Sequence, residues 1–256
     1  MIYMATRIKN KFNTVRTQLF KEITIAEYVS WWIVRALLLI AVITAPDPNR
    51  MLTDFVNMLA AYALPLLRLI APEKSFISKV DFRCQHYLNF MEFAAIFLGH
   101  CLNVYELVPK YDRLLHAISG PVAVFAAYYI FKAYEIKEGD GKYRIKPGAA
   151  TFASFSFSFV IIVFWEITEF LGDYFFGSYC QGYHFIIPAD DIWFRIFGPG
   201  FNGGVQQFPL WDTMMDMIDA TLTTFGGALV LYLVLRHLRK RDDARTLTSE
   251  AETVSA

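Results

Sequence analysis

The sequence predicts an all-α fold, a polytopic membrane bundle of about six transmembrane helices with both termini cytoplasmic, on three observations. The 256 residues are 55% hydrophobic, 17% aromatic and only 19% charged, with 24 Phe and a mean hydropathy of +0.35, whereas soluble domains carry roughly 25% charge. Six stretches, roughly 28–45, 51–71, 86–107, 113–133, 151–177 and 211–236, approach or exceed the ~20 apolar residues that a helix needs to cross hydrocarbon. Lys and Arg gather in alternate connections, and that asymmetry sets orientation.

Residues 1–27 carry Arg7, Lys9, Lys11, Arg16 and Lys21 and read as a cytoplasmic segment. No cleavable signal is expected, because the first apolar run starts late, contains Arg35 and ends in AVITAPDP with bulky Ile43 at the minus-three position. The second span ends near Arg68, whose charged head is expected to snorkel, and leads into Lys74, Lys79 and Arg83. The third holds Glu92 at a depth similar to Arg35, which suggests a structural ion pair, and ends in GHCLNVYEL with His100 and Asn103. The fourth opens with KYDRLLHAISGP, where Gly120 and Pro121 suggest a helix kink.

Lys132, Lys137, Lys142, Arg144 and Lys146 follow the fourth span, and Arg239, Lys240, Arg241 and Arg245 follow the sixth. The other connections hold Arg50, then Lys110 with Arg113, then Arg195. The expected organisation is therefore a six-helix unit over 28–236, with a long outer loop at about 178–210 and a polar, disordered cytoplasmic tail over 237–256. The loop is rich in aromatics, Gly and Pro. Since unstructured loops beyond about 15 residues are uncommon unless they bind or cover something, it reads as a cap or interfacial lid. A cysteine introduced at Gly200 is expected to react with an impermeant reagent from outside, and one introduced at Asp140 is not; the reverse pattern would overturn the orientation.

The net charge is zero, with 24 basic and 24 acidic side chains, so nothing points to nucleic acid. Cys84, Cys101 and Cys180 form neither a disulfide framework nor a zinc motif. The chemistry lies in the acids. Glu166, Glu169 and Asp173 share one face of the fifth span, and Asp212, Asp216 and Asp219 share one face of the sixth. Asp112, His116 and Ser119 line the fourth at the same level, and His100 approaches from the third. Six carboxylates in a bundle cannot all be charged unless cations, shared protons or open hydration intervene, since like charges at short range oppose ionisation.

Oxygen ligands suit Mg, Ca or Mn, and adding His116 moves preference towards Mn, Fe or Zn, so a divalent metal ion is expected without its identity. The Glu-x-x-His signature of di-metal bundles is absent. The candidate metal ligands are Glu166, Glu169, Asp173, Asp212, Asp216 and Asp219, with Asp112 and His100 as polar support and Glu169 or His116 as general base. Bland readings stand beside these. Asp212 also suits a first-turn cap, Asp173 simple hydration, His116 a structural histidine, and Thr223 with Gly226 a small-residue packing face.

The stretches YDRLLHAISG, FWEITEFLGDYFFG and WDTMMDMIDATLTTFGGAL resemble the YjdF-like family of bacterial multi-pass inner-membrane proteins over most of residues 86–236. The matching positions are Asp112, His116, Gly120, Glu166, Glu169, Asp212 and Asp216. The resemblance implies residence in the bacterial inner membrane and carries over no biochemical function. The chain departs from the family pattern in its expanded loop, with GPGFNGG and many aromatics. A fainter likeness to VanZ-like membrane proteins lies in a glutamate-bearing helix followed by a Gly-rich one.

The expected function is a cation- or metal-binding site at the outer membrane face. It would serve metal-assisted chemistry on a lipid-linked or amphiphilic substrate, with membrane lipids as partners. The alternatives are a cation- or proton-coupled transporter and a non-catalytic scaffold or sensor. No G-x-S-x-G or H-E-x-x-H motif is present, and the sequence sets no oligomeric state.

Overall fold

Thr24 ends one helix and starts the next. Its hydroxyl accepts from Glu27 N at 3.2 Å while the Glu27 carboxylate accepts from Thr24 N at 2.6 Å, a reciprocal cap on helix α2 (Ile25–Thr44). The computed structural model describes residues 2–137, 143–176, 180 and 208–255. Most of the long connection at 178–210, including Arg195, lies outside the described residues, and so does its expected role as a lid.

The helix that Thr24 ends, α1 (Ile2–Glu22), is a feature that the reading of 1–27 as a plain cytoplasmic segment missed. Val15, Leu19 and Ile23 recur at a four-residue spacing and pack against Trp31, Leu64 and Phe82. That spacing was the available signal, hidden because the helix is too polar to register as a span. Lys11 Nζ donates to the Ala71 carbonyl and ties α1 to the end of the next rod.

That rod is α3 (Pro48–Ile70). Asp47 caps it by accepting from Asn49 N and Arg50 N, each at 2.9 Å, with Pro48 in the first turn. Its middle tightens to a 3-10 stretch at Leu59–Tyr62, and Pro65 explains two buried polar residues there. Pro65 has no N–H to give the Ala61 carbonyl, so Arg35 supplies Nε at 3.1 Å and Nη2 at 2.8 Å. One residue earlier, Gln85 replaces the rung, accepting from Leu64 N at 3.0 Å and donating to Ala60 O at 2.9 Å.

Arg35 therefore does not pair with Glu92 as expected. Besides Ala61 O, its guanidinium carbon lies 4.4 Å from the Tyr62 ring centroid and 5.1 Å from that of Trp32. Arg68 does not snorkel either. It is 2% exposed, bonded to Glu22 at 3.1 Å, to the Ser78 and Val80 carbonyls at 3.0 Å each and to Gln18 at 2.8 Å, because α1 roofs the place where water was expected.

The third predicted span is α4 (84–101), α-helical over Cys84–Glu92 and wound as a π-helix over Phe93–Cys101. A single turn, Val104–Leu107, follows between Asn103 and Lys110, both in the left-handed region at φ 56° and 63°. The remaining helices are α5 (Tyr111–Phe131), α6 (Pro147–Phe176) and α7 (Phe208–Ser255). A minimal antiparallel pair, β1 (Ile136–Lys137) with β2 (Tyr143–Arg144), lies between α5 and α6. The polytopic helical bundle is thus as predicted. Among the described residues five helices are long and apolar enough to span a membrane: α2, α3, α5, α6 and α7, the last through Asp212–Arg245. The shorter, more polar α4 packs among them.

The stretch 237–255, expected to be disordered, continues α7 to Ser255. Its Arg, Lys, Glu and Ala residues favour helix locally. Exposed Leu39, Ile40, Phe164, Leu229, Val230 and Leu233 give the bundle the apolar outer surface that a bilayer covers.

Central α5 touches α4, α6 and α7. It lies tight against α7 at Gly120, where a Cβ would come within 2.5 Å of Thr223 Oγ1 and press on the Ala220 carbonyl. One turn further along α7, Gly227 sits where a Cβ would meet Pro121 Cα at 2.7 Å. Thr223 is on this packing face as expected, but Gly226 faces open space and Gly227 takes its place. Pro121 is accommodated inside a continuous helix.

Candidate functional site

The Gly120 contact decides what happens one turn away. It holds the start of α5 against the start of α7, and α6, running the opposite way, brings its second half to the same level. The helices meet at His116. Its Nδ1 is 3.4 Å from Glu166 Oε1; its Nε2 is 3.8 Å from Asp112 Oδ1, from Glu169 Oε1 and from Asp216 Oδ2. One imidazole edge thus faces three carboxylates from three helices, and the other faces a fourth.

The back of the group is sealed, with the side chains of Asp216 and Glu166 only 2% and 6% exposed. Neither oxygen of Glu166, nor Oδ1 of Asp216, has a hydrogen-bond donor in bonding geometry, although Thr213 lies against Glu166. The front is open, since the Asp112 side chain keeps 36% of its exposure. Glu169 is positioned by Trp165, whose Nε1 donates to Oε1 at 2.6 Å from one turn earlier on α6. Ser119, third in the predicted stripe, turns back to donate to the His116 carbonyl at 2.7 Å.

Two overlapping sets of ligand atoms, Asp112, His116 and Asp216, then His116, Glu166 and Glu169, each lie within 4.8 Å of one another. Ligands bound at about 2.0–2.2 Å to one ion stand roughly 3–3.5 Å apart, so atoms at the 4.8 Å limit must close by roughly 1.3–1.8 Å, a movement shared between two side chains. Four carboxylates held around one histidine, with oxygens lacking donors, form an arrangement that a cation or added protons would complete.

Of the six acids proposed as ligands, Glu166, Glu169 and Asp216 are in this group. Asp212 lies one turn before Asp216 on α7 and belongs to neither set of ligand atoms. Asp173 lies further along α6 and accepts from Cys180 N at 2.6 Å. Asp219 accepts from Arg113 Nε at 2.8 Å and Nη2 at 2.6 Å. Asp112 is in the group as expected. His100 is not: α4 packs on α3 at that level, and His100 Nδ1 meets Asp54 Oδ1 at 2.6 Å. Sequence reading missed Trp165, whose four-residue spacing to Glu169 was the available sign, and Asp54, whose sign was its place as an acid inside the predicted span 51–71.

A cavity of about 120 Å³ opens between α4, α5 and α6. Its walls are mainly apolar, including Leu88, Met91, Val122 and Ile161, with Asp112, His116 and Glu169 among its lining and Glu92 on the α4 side.

The family model described as "Predicted membrane protein (DUF2238)" matches residues 27–240, which include every residue of the cluster. No curated protein and no solved structure matches the chain.

Proposed function

We propose that this chain, which belongs to the DUF2238 family of predicted membrane proteins as its YjdF-like features implied, holds a divalent metal ion between His116 Nε2 and the carboxylates of Asp112, Glu169 and Asp216. The observation that carries the reading is the convergence of these three carboxylates on one ring nitrogen at 3.8 Å each. Glu166 at Nδ1 would orient the ring, as carboxylates do behind metal-bound histidines. Asp173, Asp212 and Asp219 would then shape the field around the centre without ligating it.

The ion would polarise a phosphoryl or carbonyl oxygen of a lipid-linked or amphiphilic substrate entering along the apolar cavity. With Arg113 committed to Asp219, the metal would supply the positive charge for that oxygen. Glu169, bordering the cavity and held by Trp165, is the carboxylate placed to take a proton from the attacking nucleophile. The Lys- and Arg-rich connections support an orientation with both termini in the cytoplasm, which would put this centre at the outer face of the bacterial inner membrane.

Elemental analysis of the detergent-purified protein after dialysis against metal-free buffer tests the reading. Wild type is expected to retain stoichiometric metal, and Glu169→Gln/Asp216→Asn to lose it while reaching the membrane at wild-type level. A metal-free wild type would overturn the proposal, and disappearance of the mutant from the membrane would mark the acids as structural. Glu166→Gln is expected to weaken metal affinity by roughly 10–100-fold, the usual loss for a group behind a ligand, read by competition with a chelating dye.

A further inference from the structure

The buried polar residues of α4 run on from Gln85. Gln85, Asn89 and Glu92 recur at four- and three-residue spacings along one face and are 0%, 3% and 5% exposed. Past Glu92, Ile96 packs in one cluster with Met58 of α3, and Asp54, one turn before Met58 and 1% exposed, meets His100, whose side chain regains 19% exposure. Gln85 to His100 covers at most about 22 Å, the length at an α-helical 1.5 Å per residue, since the π-wound Phe93–Cys101 half rises less, against the ~30 Å thickness of hydrocarbon.

Packing accounts for Gln85, which bridges the broken rung of α3, and for Asn89 Oδ1, which accepts from Gln85 at 2.9 Å. It does not account for Asn89 Nδ2 or Glu92 Oε2, which are sealed from solvent and have no hydrogen-bond partner. A structural polar residue in a bundle interior would be satisfied, and intramembrane acids left over from packing mark ion or proton paths. Glu92 also borders the cavity, which could admit water beside it.

We propose that this column is a proton path through the bundle, with Glu92 as its mid-membrane carrier and the Asp54–His100 pair as its exit. The O–H bond of the Glu92 carboxyl breaks and, through water, an O–H or N–H bond forms on the pair. His100 releases that proton to solvent water at its exposed edge, and Glu92 is reprotonated by a hydronium ion from the opposite side of the bundle, water carrying the proton past the Gln85 and Asn89 amides, which cannot themselves relay it. The other charged or titratable groups packed around this level include Arg35 of α2, committed to Ala61 O and aromatic rings, and Tyr87, Tyr105, Asp112, His116 and Glu169 around the cavity. The inference does not depend on a metal.

The test is the full chain in proteoliposomes that enclose a pH-sensitive dye, with a potential imposed by potassium and valinomycin. Wild type is expected to change internal pH several-fold faster than protein-free vesicles, Glu92→Gln to fall to the protein-free rate, Asn89→Leu to be intermediate, and Glu92→Asp to keep measurable flux. A wild type no faster than empty vesicles, or Glu92→Gln as fast as wild type, overturns the proposal. If Glu92→Gln fails to reconstitute, Asn89→Leu and Glu92→Asp decide between the same outcomes. Metal measured in the same preparations separates the two readings: metal without flux defeats the path alone, and flux without metal defeats the metal centre alone.

Discussion

Replacing Arg68 with alanine is expected to destabilise the protein by about 3 kcal/mol, the lower end of what breaking a buried ion pair costs. The lower end applies because Glu22, its partner at 3.1 Å, keeps 25% of its side-chain exposure and can rehydrate. The Ser78 and Val80 carbonyls and Gln18 lose their donors together, and the Phe82 ring, 4.0 Å from the guanidinium carbon, loses its cover. For a chain of this size the unfolding midpoint should fall by roughly 6–12 °C, measurable by thermal melting in detergent. Arg68→Lys should recover only part, because one ammonium cannot reproduce a fork that reaches four groups. A midpoint unchanged in Arg68→Ala would mean that α1 is not anchored through this residue.

Valine at Gly120 is expected to have the second large effect, on stability and site together. The added Cβ would stand 2.5 Å from Thr223 Oγ1 and press on the Ala220 carbonyl; the hydroxyl can rotate away, but the backbone oxygen cannot. Helices α5 and α7 must separate, at a cost of about 1–3 kcal/mol for overpacking. His116 and Asp216 each lie one turn from this contact, so their 3.8 Å approach should widen. Metal retention is expected to fall with the melting temperature, although no ligand has changed. Gly226→Ala is the control: with nothing within 4 Å of the new methyl, it should leave metal binding intact and stabilise the helix slightly. Equal damage from both substitutions would show that helix propensity, and not the α5–α7 contact, explains the loss.

Much of the candidate site was legible because helical period is a property of the chain alone. Spacings of three and four placed Glu166 with Glu169 and Asp112 with His116 on common faces, whatever surrounded them. The same rule grouped Asp219 with Asp216, yet only Asp216 reaches His116. Asp219 is turned far enough around α7 to meet Arg113, a rotation that the Gly120 and Gly227 contacts set. His100 shows the other limit: depth along a helix can be counted, but its neighbour depends on α4 packing against α3.

By itself, the sequence determined that this protein is a helical membrane bundle, where most of its spans lie, and that its acids concentrate at one end. These follow from local hydropathy, helix period and the cost of placing charge in lipid. Only the tertiary structure decided that α1 roofs Arg68, that Arg35 and Gln85 serve the broken rungs of α3, and that four carboxylates close on His116 while two others find partners of their own. Those outcomes depend on the rotation and approach of helices distant in sequence, which side-chain volume at a few contact points controls and no single helix encodes.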